Sequence, residues 1–347
     1  MRTFNYRVLS ENKWDSEMLS LVAAVYKEAG KQELYLKQRP RELEKLVEIA
    51  KIQSTEESNA IEGIVTTSTR VRKLVEEKTT PRNRSEQEIA GYRDVLSVIY
   101  ENFDAIPITK NYILQLHKIL YSYTGSPIAG HTKNVQNYIG VTFPDGHMGT
   151  LFTPLTPFET PAALDRICEE YNYVIGNMEV DPLIVIPVFI HDFLCIHPFN
   201  DGNGRMSRLL TTLLLYQNGF YVGKYISLEA KIAKNKDLYY SALQDSQIGW
   251  HEGKDDPVPF IKYLLGTILA AYREFEDRYA LIETKRPALD TVRLAVQNKI
   301  GRFTKQDIRD LCPSLSLSSV EGALRTMVEK GELKREGNGK STHYYRA

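Results

Sequence analysis

The sequence predicts a mainly α-helical protein with one small β-hairpin and a separate C-terminal module. Three observations indicate this class. Apolar residues recur at helical spacing through most of the chain. A stretch rich in β-branched and aromatic residues interrupts this spacing between Gly130 and Pro157. Residues 286–347 have the pattern helix, turn, helix and hairpin, which is typical of a winged helix-turn-helix domain.

Helical spacing predicts five helices before the hairpin. The first four cover residues 19–29, 41–60, 68–78 and 86–102, and Thr109 is the expected N-cap of the fifth. Beyond the hairpin, whose turn is expected at 144–149, the spacing predicts helices over 160–177, 182–196, 205–218, 229–247 and 255–283. Asn218-Gly219 is expected to end the third of these.

Composition is that of a globular protein of ordinary polarity. Of 347 residues, 42% are hydrophobic and 25% are charged, and the formal net charge is zero. The most apolar run, 182–199, is interrupted by His191 and Asp192, which favours a buried core helix over a membrane span. The first residues lack the apolar segment of a secretory signal. Three cysteines without metal-ligand spacing predict a reducing compartment. We therefore expect a cytoplasmic protein with no membrane contact.

Three domains are predicted: an N-terminal helical region over 1–105, a core over 106–280 and a winged helix over 286–347. From Lys285 to Ala347 the chain has thirteen Lys and Arg against seven Asp and Glu, so a basic module is attached to an acidic body. Basic residues gather on the expected wing, namely Lys334, Arg335, Lys340 and His343. The expected recognition helix carries only Arg325 and Lys330 beside two glutamates, which is weak for reading a DNA groove. Docking of a target protein or self-association is favoured, and DNA binding stays open.

Residues 194–208, LCIHPFNDGNGRMSR, combine the side chains and turns of a phosphate-binding site. Gly202 and Gly204 permit positive φ, so that successive N–H groups can converge on an anion. A helix starting near Arg205 would add the positive end of its dipole. Arg205 and Arg208 lie three residues apart in its first turn. The loop is therefore predicted to bind phosphate.

The same loop supplies a base and a metal ligand. His197 can accept a proton near neutral pH, and Asp201 can hold Mg²⁺ beside phosphate oxygens. These are the parts of phosphoryl or nucleotidyl transfer. No P-loop signature occurs in the chain. Zinc held by His191, Asp192 and His197 is disfavoured, because the two histidines are six residues apart, and His191 is expected in the core.

Residues 197–208, HPFNDGNGRMSR, match every specified position of HPFx[DE]GNGRxxR, and the chain therefore resembles the Fic family. The order of helices, hairpin flap (138–157) and motif agrees over residues 1–270. The resemblance implies a helical Fic core that transfers AMP from ATP to a Ser, Thr or Tyr hydroxyl of a target protein. The target would dock at the flap by main-chain hydrogen bonds. Self-modification is expected, since the chain has 21 tyrosines, and a homodimer stays open.

The resemblance also implies a role for each motif residue. His197 would deprotonate the target hydroxyl, Asp201 would hold magnesium, and Phe199 would anchor the loop. The ATP phosphates would be bound by Gly202, Asn203, Gly204, Arg205, Met206, Ser207 and Arg208. Glycine at 204 favours AMP transfer over phosphate transfer within the family. Tyr240 and Asn235 would contact adenosine, although a core aromatic and a surface amide are equally good interpretations of this pair.

A second stretch, ESNAIEG at 57–63, resembles the [ST]xxxE[GN] pattern of the family's inhibitory helix, expected over about 54–63. Ser58 and Glu62 are four residues apart and share one helix face, and Gly63 suits a C-cap. The resemblance implies a bidentate pair between Glu62 and Arg208, which would keep Arg208 from the γ-phosphate of ATP. Two alternatives stay open: Glu62 could position a water that removes AMP, or a Fic core could sense nucleotide for a DNA-binding regulator.

Overall fold

The protein is a helical bundle with two small hairpins. The computed structural model describes residues 2–38, 40–142, 148–283, 287–297, 299, 301–312, 315–337, 339 and 342–346. Fourteen α-helices are found in this part of the chain: α1 Ser16–Gln38, α2 Pro40–Ile61, α3 Ser68–Glu76, α4 Arg84–Asn102, α5 Lys110–Leu120, α6 Thr160–Gly176, α7 Pro182–Ile196, α8 Asn203–Gln217, α9 Leu228–Lys234, α10 Lys236–Gln247, α11 Val258–Glu283, α12 Ala288–Gln297, α13 Lys305–Leu311 and α14 Leu317–Glu329. The mainly helical class is confirmed.

Helices α7 and α8 form the centre of the bundle. Nearly every side chain of α7 is buried, because α6, α8 and α11 pack around it. A helix that is apolar on all faces is stable only when it is covered in this way. Asp181 caps its start by accepting a hydrogen bond from the N–H of Leu183 at 2.8 Å. None of the described helices combines the length and apolar character needed to cross a bilayer.

The flap hairpin consists of β1 (Ile139–Thr142) and β2 (Met148–Phe152), which pair antiparallel with Val141 opposite Gly149. The pairing has an irregularity between Ile139 and Gly140. The hairpin predicted between Gly130 and Pro157 is thus present. Most of its expected turn, residues 144–147 of 144–149, lies outside the described residues.

The C-terminal module has its own apolar core, separate from the main one, which includes Val292, Phe303, Ile308, Leu324 and Leu333. Helices α12 to α14 precede an antiparallel hairpin of β3 (Leu333–Glu336) and β4 (His343–Arg346). The element order is the one predicted. The module contacts the N-terminal helices through an ion pair of 3.1 Å between Arg72 on α3 and Asp310 on α13. Lys340 and the Arg286 boundary lie outside the described residues.

Several helix predictions are wrong in their boundaries. The first helix, expected over 19–29, extends over Ser16–Gln38. The helix expected over 229–247 is divided at Asn235 into α9 and α10, because asparagine there leaves the helical region (φ −125°, ψ 40°). The helix expected to begin near Arg205 begins at Asn203 instead. Thr109 caps α5 as expected, through a bond from the N–H of Tyr112 to its hydroxyl. Asn218 and Gly219 (φ +85°) end α8.

Candidate active site

The loop between α7 and α8 is held in a defined shape by its own residues. His197 has a left-handed backbone (φ 52°, ψ 63°), which costs a residue other than glycine about 1–2 kcal/mol. The Asn203 side chain closes the loop, since it accepts a bond from the Phe199 N–H and donates one to the Phe199 carbonyl. Phe199 is buried and stacks on His117 with ring centroids 3.8 Å apart. The strain at His197 is therefore balanced by specific packing.

His197 has the protonation state of a base. Its Nδ1 lies 3.2 Å from the carbonyl oxygen of Leu194, so Nδ1 carries the proton and donates it. Nε2 is then the acceptor atom. Burial lowers the pKa of His197 to about 4, and the positive charge of Lys133 acts in the same direction. The imidazole is accordingly neutral near pH 7.

The N-terminus of α8 is open to an anion. No acceptor is found among the described residues for the N–H groups of Asn203, Gly204 and Arg205. Gly202 has φ +86°, which turns the chain into the helix and requires glycine. Gly204 does not have the positive φ that we expected, because it lies inside the first turn of α8. Unpaired N–H groups and the helix dipole together attract phosphate at this point.

Asp201 is the exposed carboxylate of the loop. One of its oxygens accepts a bond of 2.7 Å from the Gly202 N–H, and its backbone carbonyl accepts one of 3.1 Å from His117 Nε2. The Gly130 N–H donates to His117 Nδ1, which fixes the tautomer of this buried histidine. Asp201 is thus held by its backbone while its side chain faces solvent. An exposed carboxylate oxygen is the kind of ligand that Mg²⁺ takes.

The two arginines of the motif have different partners. The Arg205 side chain is 1% exposed; it lies 2.8 Å from a Glu88 oxygen and donates to the Tyr121 hydroxyl at 2.7 Å. Its guanidinium therefore lies against α4 and α5, with Asp201 Oδ2 of the loop 4.0 Å from Nη2. Met206 is buried in the core, and the Ser207 hydroxyl donates to the Gly204 carbonyl. We expected both arginines to face the phosphates. Of the two, only Arg208 is not held against α4 and α5.

Arg208 is bound to the end of α2. Its Nη2 lies 2.7 Å from Glu62 Oε1 and 2.9 Å from the Ser58 carbonyl oxygen, while its Nε donates to the Ser58 hydroxyl at 2.8 Å. The predicted pair between Glu62 and Arg208 is present, but the predicted bidentate geometry is wrong. Ser58 accepts the bond from Nε and a second bond from Nη2, and Glu62 uses one oxygen. Gly63 (φ +77°) follows the last turn of α2, as expected of a C-cap.

Gly204 makes room for Glu62. A Cβ built on Gly204 would lie 2.2 Å from Glu62 Oε1, well inside any permitted contact. The absence of a side chain at 204 therefore allows the carboxylate to reach Arg208 across the first turn of α8. Sequence reasoning assigned this glycine to the phosphates. The structure adds that Glu62 occupies the space in front of it.

Helix α10 closes one side of the site. Tyr240 is partly exposed, and the Lys236 ammonium lies 5.7 Å from its ring centroid. The same ammonium donates to the Ile61 carbonyl at 2.7 Å and so covers the end of α2. Tyr239, which we did not single out from the sequence, is buried and interacts with the side chains of Ser207 and Arg208. Asn235 lies at the junction of α9 and α10.

Three residues that hold the loop were missed by sequence reasoning: His117, Lys133 and Asn137. The Lys133 ammonium donates to the Ile196 carbonyl at 2.9 Å, and the Asn137 amide donates to the Phe199 carbonyl at 3.0 Å. His117 is a polar residue on the buried face of α5, a sign that the sequence did offer. His191 is buried as expected, and its neighbour Asp192 is paired with Arg2 at 3.3 Å.

A neutral histidine, an exposed carboxylate and an open helix N-terminus in one loop, between two core helices and linked to a hairpin flap, define a Fic-type domain. A sequence model of the Fic/DOC family matches residues 107–215. A Fido domain-containing protein from Dictyostelium discoideum is 30% identical over 102 residues, which are 28% of this chain and 67% of that protein. The chain belongs to the Fic/DOC family.

Two further similarities extend this result. Protein adenylyltransferase fic-1 from Caenorhabditis elegans is 26% identical over 186 residues, which are 52% of this chain. The match spans only 32% of the nematode protein. The crystal structure of a Fic family protein from Desulfovibrio desulfuricans G20 superposes with a TM-score of 0.62 over 97% of both chains, at 19% identity. At that identity the superposition shows a shared fold.

Proposed function

We propose that this protein is a protein adenylyltransferase that transfers AMP from ATP to a Ser, Thr or Tyr hydroxyl of a target protein, and that Glu62 keeps the activity low. One observation carries the proposal. His197, at one end of the motif, is neutral and has a free acceptor nitrogen, while Arg208, at the other end, is bound by Glu62 and Ser58. The base can thus accept a proton, whereas the arginine expected to bind phosphate is already bound to Glu62 and Ser58.

In this reaction the target hydroxyl gives its proton to Nε2 of His197, and its oxygen forms a bond to the α-phosphorus of ATP. The bond between that phosphorus and the pyrophosphate oxygen breaks, and pyrophosphate leaves. The open N–H groups at the start of α8 would bind the phosphate oxygens. Asp201 would hold Mg²⁺, which when bound would neutralise phosphate charge.

We assign Arg205 a different role from the one implied by the family resemblance. Its burial against Glu88 and Tyr121 supports a role in holding α8 against α4 and α5. A buried arginine whose partner is removed costs about 3–5 kcal/mol, so withdrawing it to meet ATP is unfavourable. Arg208 is the arginine that a phosphate can bind, because its partner Glu62 is 32% exposed.

The inhibition we propose is competition between two anions for one cation. The Glu62 carboxylate and the γ-phosphate of ATP both require Arg208. Glu62 is tethered to α2, so it reaches Arg208 without the loss of translational freedom that a free ligand undergoes. ATP would therefore bind with its terminal phosphate displaced and its α-phosphorus out of line with the attacking oxygen, which slows transfer.

The test is labelling with ATP carrying ³²P at the α-phosphate. Glu62→Gly protein, incubated with Mg²⁺ and a cell lysate, is expected to transfer label to itself or to a lysate protein at least tenfold faster than wild type. The double variant Glu62→Gly/His197→Ala is expected to transfer none. Glu57→Gln on the same helix is the control for loss of a carboxylate, because Glu57 has no described contact with the motif and glutamine suits a helix interior, and it should behave as wild type. Equal labelling by wild type and Glu62→Gly protein would contradict the proposed inhibition.

A second activity is favoured by one detail of the same contact. Glu62 uses Oε1 for Arg208, and no donor to Oε2 is found among the described residues. That oxygen could hold a water for attack on AMP already attached to a target. In this case wild-type protein, but not Glu62→Gly protein, would release AMP from a labelled target. Retention of the label by both proteins would dismiss the hydrolase.

For the C-terminal module we propose docking of a target protein or of a second copy. Lys334 and Arg335 are exposed on β3, whereas Glu321 on α14 pairs with Lys305, and Glu336 on β3 pairs with Arg302. This mixture of signs supports protein contact over the phosphate backbone of DNA. A gel shift near physiological salt is the test, because non-specific binding is weak there. A retained shift would favour the DNA-binding regulator instead.

A further inference from the structure

The segment that leads into the flap, residues 133–137 (KNVQN), runs alongside the motif loop. We call it the stem. It lies directly before β1, and no step of the reaction proposed above uses it. Its hydrogen bonds nevertheless converge on the residues around His197.

The stem holds the backbone on both sides of the base. The backbone N–H of Lys133 donates to the Pro198 carbonyl at 2.8 Å, and its ammonium donates to the Ile196 carbonyl at 2.9 Å. The Asn137 amide donates to the Phe199 carbonyl at 3.0 Å. The peptide groups that flank the left-handed His197 are thus fixed by donors from a different part of the chain.

Lys133 is an unusual residue to use for this purpose. It is 2% exposed, and no carboxylate pairs with it among the described residues; its second bond goes to the Asn137 side-chain oxygen at 3.0 Å. A buried ammonium is costly unless it gains specific partners. Here the partner is the last carbonyl of α7, at the negative end of the helix dipole, which favours a cation. The charge therefore contributes to the position of this one turn.

The stem also reaches the far strand of the flap. The Gln136 amide donates to the Pro154 carbonyl at 3.1 Å, just after β2, while β1 continues directly from the stem. Both ends of the flap are therefore connected to the segment that holds His197. The distance from the flap to the base is set through these five residues.

We propose that Lys133, supported by Asn137, is a positioning residue for the transfer reaction: it holds His197 in its left-handed conformation and fixes the base relative to the flap on which the target would lie. The inference rests on the proposed adenylyl transfer. It assigns Lys133 no contact with ATP. Loss of Lys133 should consequently slow the chemical step while nucleotide binding stays unchanged.

The experiment compares self-labelling by α-³²P-ATP in the Glu62→Gly background. Lys133→Met and Asn137→Ala are each expected to lower kcat, Lys133→Met by roughly 10- to 100-fold, since small misplacements of catalytic groups have effects of this size. The Kd for ATP, measured by calorimetry, and the unfolding temperature should stay near those of the parent. Lys27→Met, at an exposed position on α1, is the matched control and should change none of these quantities. Lys133→Arg keeps the charge and should recover part of the rate.

Unchanged kcat in both stem variants would overturn the inference, as would a rate loss that follows a matching loss of ATP affinity. A parent Glu62→Gly protein that labels nothing would count against the proposed function instead. In that case titration of His197 by NMR tests the stem on its own. Among the described residues, the charge of Lys133 lowers the pKa of His197, whereas the charges of Glu62 and Asp201 raise it. Lys133→Met should therefore raise the pKa of His197, and an unchanged pKa would contradict the placement.

Discussion

The two ends of the motif loop are held in opposite ways. At the His197 end, the contacts come from the loop itself and from the stem, and they leave the acceptor nitrogen free. At the Arg208 end, the contacts come from α2, about 150 residues earlier in the chain, and they occupy the guanidinium. In the proposed reaction, the first set of contacts leaves His197 able to act as the base. The second set would keep Arg208 from the nucleotide.

This difference indicates where the proposed control acts. A half-buried histidine with a left-handed backbone cannot be moved without disturbing the core around it. The Arg208 contact is different, because Glu62 is partly exposed and lies one residue beyond α2. It can be exchanged for another anion at small cost to the fold. Control at the phosphate end therefore leaves the catalytic geometry intact.

The largest expected effect is at the His197 end of the loop. His197→Ala in the Glu62→Gly background should lower AMP transfer by about 10²–10⁴-fold, because the general base is lost. ATP affinity should change little, since His197 makes no contact with the open N–H groups of α8. Radiolabel transfer and calorimetry measure the two quantities. A strong fall in ATP affinity would show that the two ends are not separate.

The next prediction tests the Arg208 end of the loop without changing Glu62. Gly204→Ala places a methyl group 2.2 Å from Glu62 Oε1, so the carboxylate must move away. Alanine suits the helical backbone at 204. Loss of a charged hydrogen bond, about 1.5–3 kcal/mol, should free Arg208. The same methyl group lies 3.3 Å from Arg208 Nη1, in the space that a phosphate would enter, so transfer should rise above wild type by less than with Glu62→Gly. Combined with Glu62→Gly, the substitution should add no further increase, and an additive gain would count against displacement of Glu62.

The sequence predicts the contacts at the Arg208 end of the loop better than those at the His197 end. The Arg208 contact was expected from the resemblance of ESNAIEG to the inhibitory pattern of the family. The spacing itself shows only that Ser58 and Glu62 share one helix face. The geometry of that contact was not predictable, since the bidentate expectation ignored Ser58 as a competing acceptor. Lys133 was missed altogether. Its partners are backbone carbonyls 63 and 65 residues away, and no local pattern encodes such contacts.

The same limit applies to the fold. Helices with clear apolar spacing, such as α7, are found where the sequence predicts them. The break at Asn235 and the early start of α8 depend on tertiary packing and loop geometry. The spacing of apolar residues therefore predicted neither boundary correctly. Arg205 is a further case, because its charge suggested phosphate binding while its neighbours Glu88 and Tyr121 bury it.

A smaller gain is expected from Ser58→Ala. The substitution removes the hydroxyl that accepts a bond from Arg208 Nε at 2.8 Å but leaves the Ser58 carbonyl and Glu62 in place. One hydrogen bond contributes about 1 kcal/mol, so transfer should rise by roughly fivefold at most. Initial rates of labelling check this value. A gain as large as that of Glu62→Gly would mean that Ser58, and not the charge of Glu62, restrains Arg208.

The smallest effect is expected from pH. Since the pKa of His197 lies near 4, below the value of 6.5 for a free histidine, the base is already deprotonated at pH 6. Transfer by Glu62→Gly protein should therefore stay nearly constant from pH 8 to pH 6 and fall only as the pH approaches the lowered pKa. A rate that halves near pH 6.5 would indicate that His197 titrates as an ordinary, solvated histidine.

The measurement that tests the central claim most directly is the preference for ATP over ADP in binding. If Glu62 withholds Arg208, the γ-phosphate gains nothing in wild type, and calorimetry should give similar Kd values for ATP and ADP. In Glu62→Gly protein the freed guanidinium would bind that phosphate, and ATP should bind roughly tenfold or more tightly than ADP. The same ratio of the two Kd values in both proteins would contradict the account, because Arg208 would then be equally available with and without Glu62.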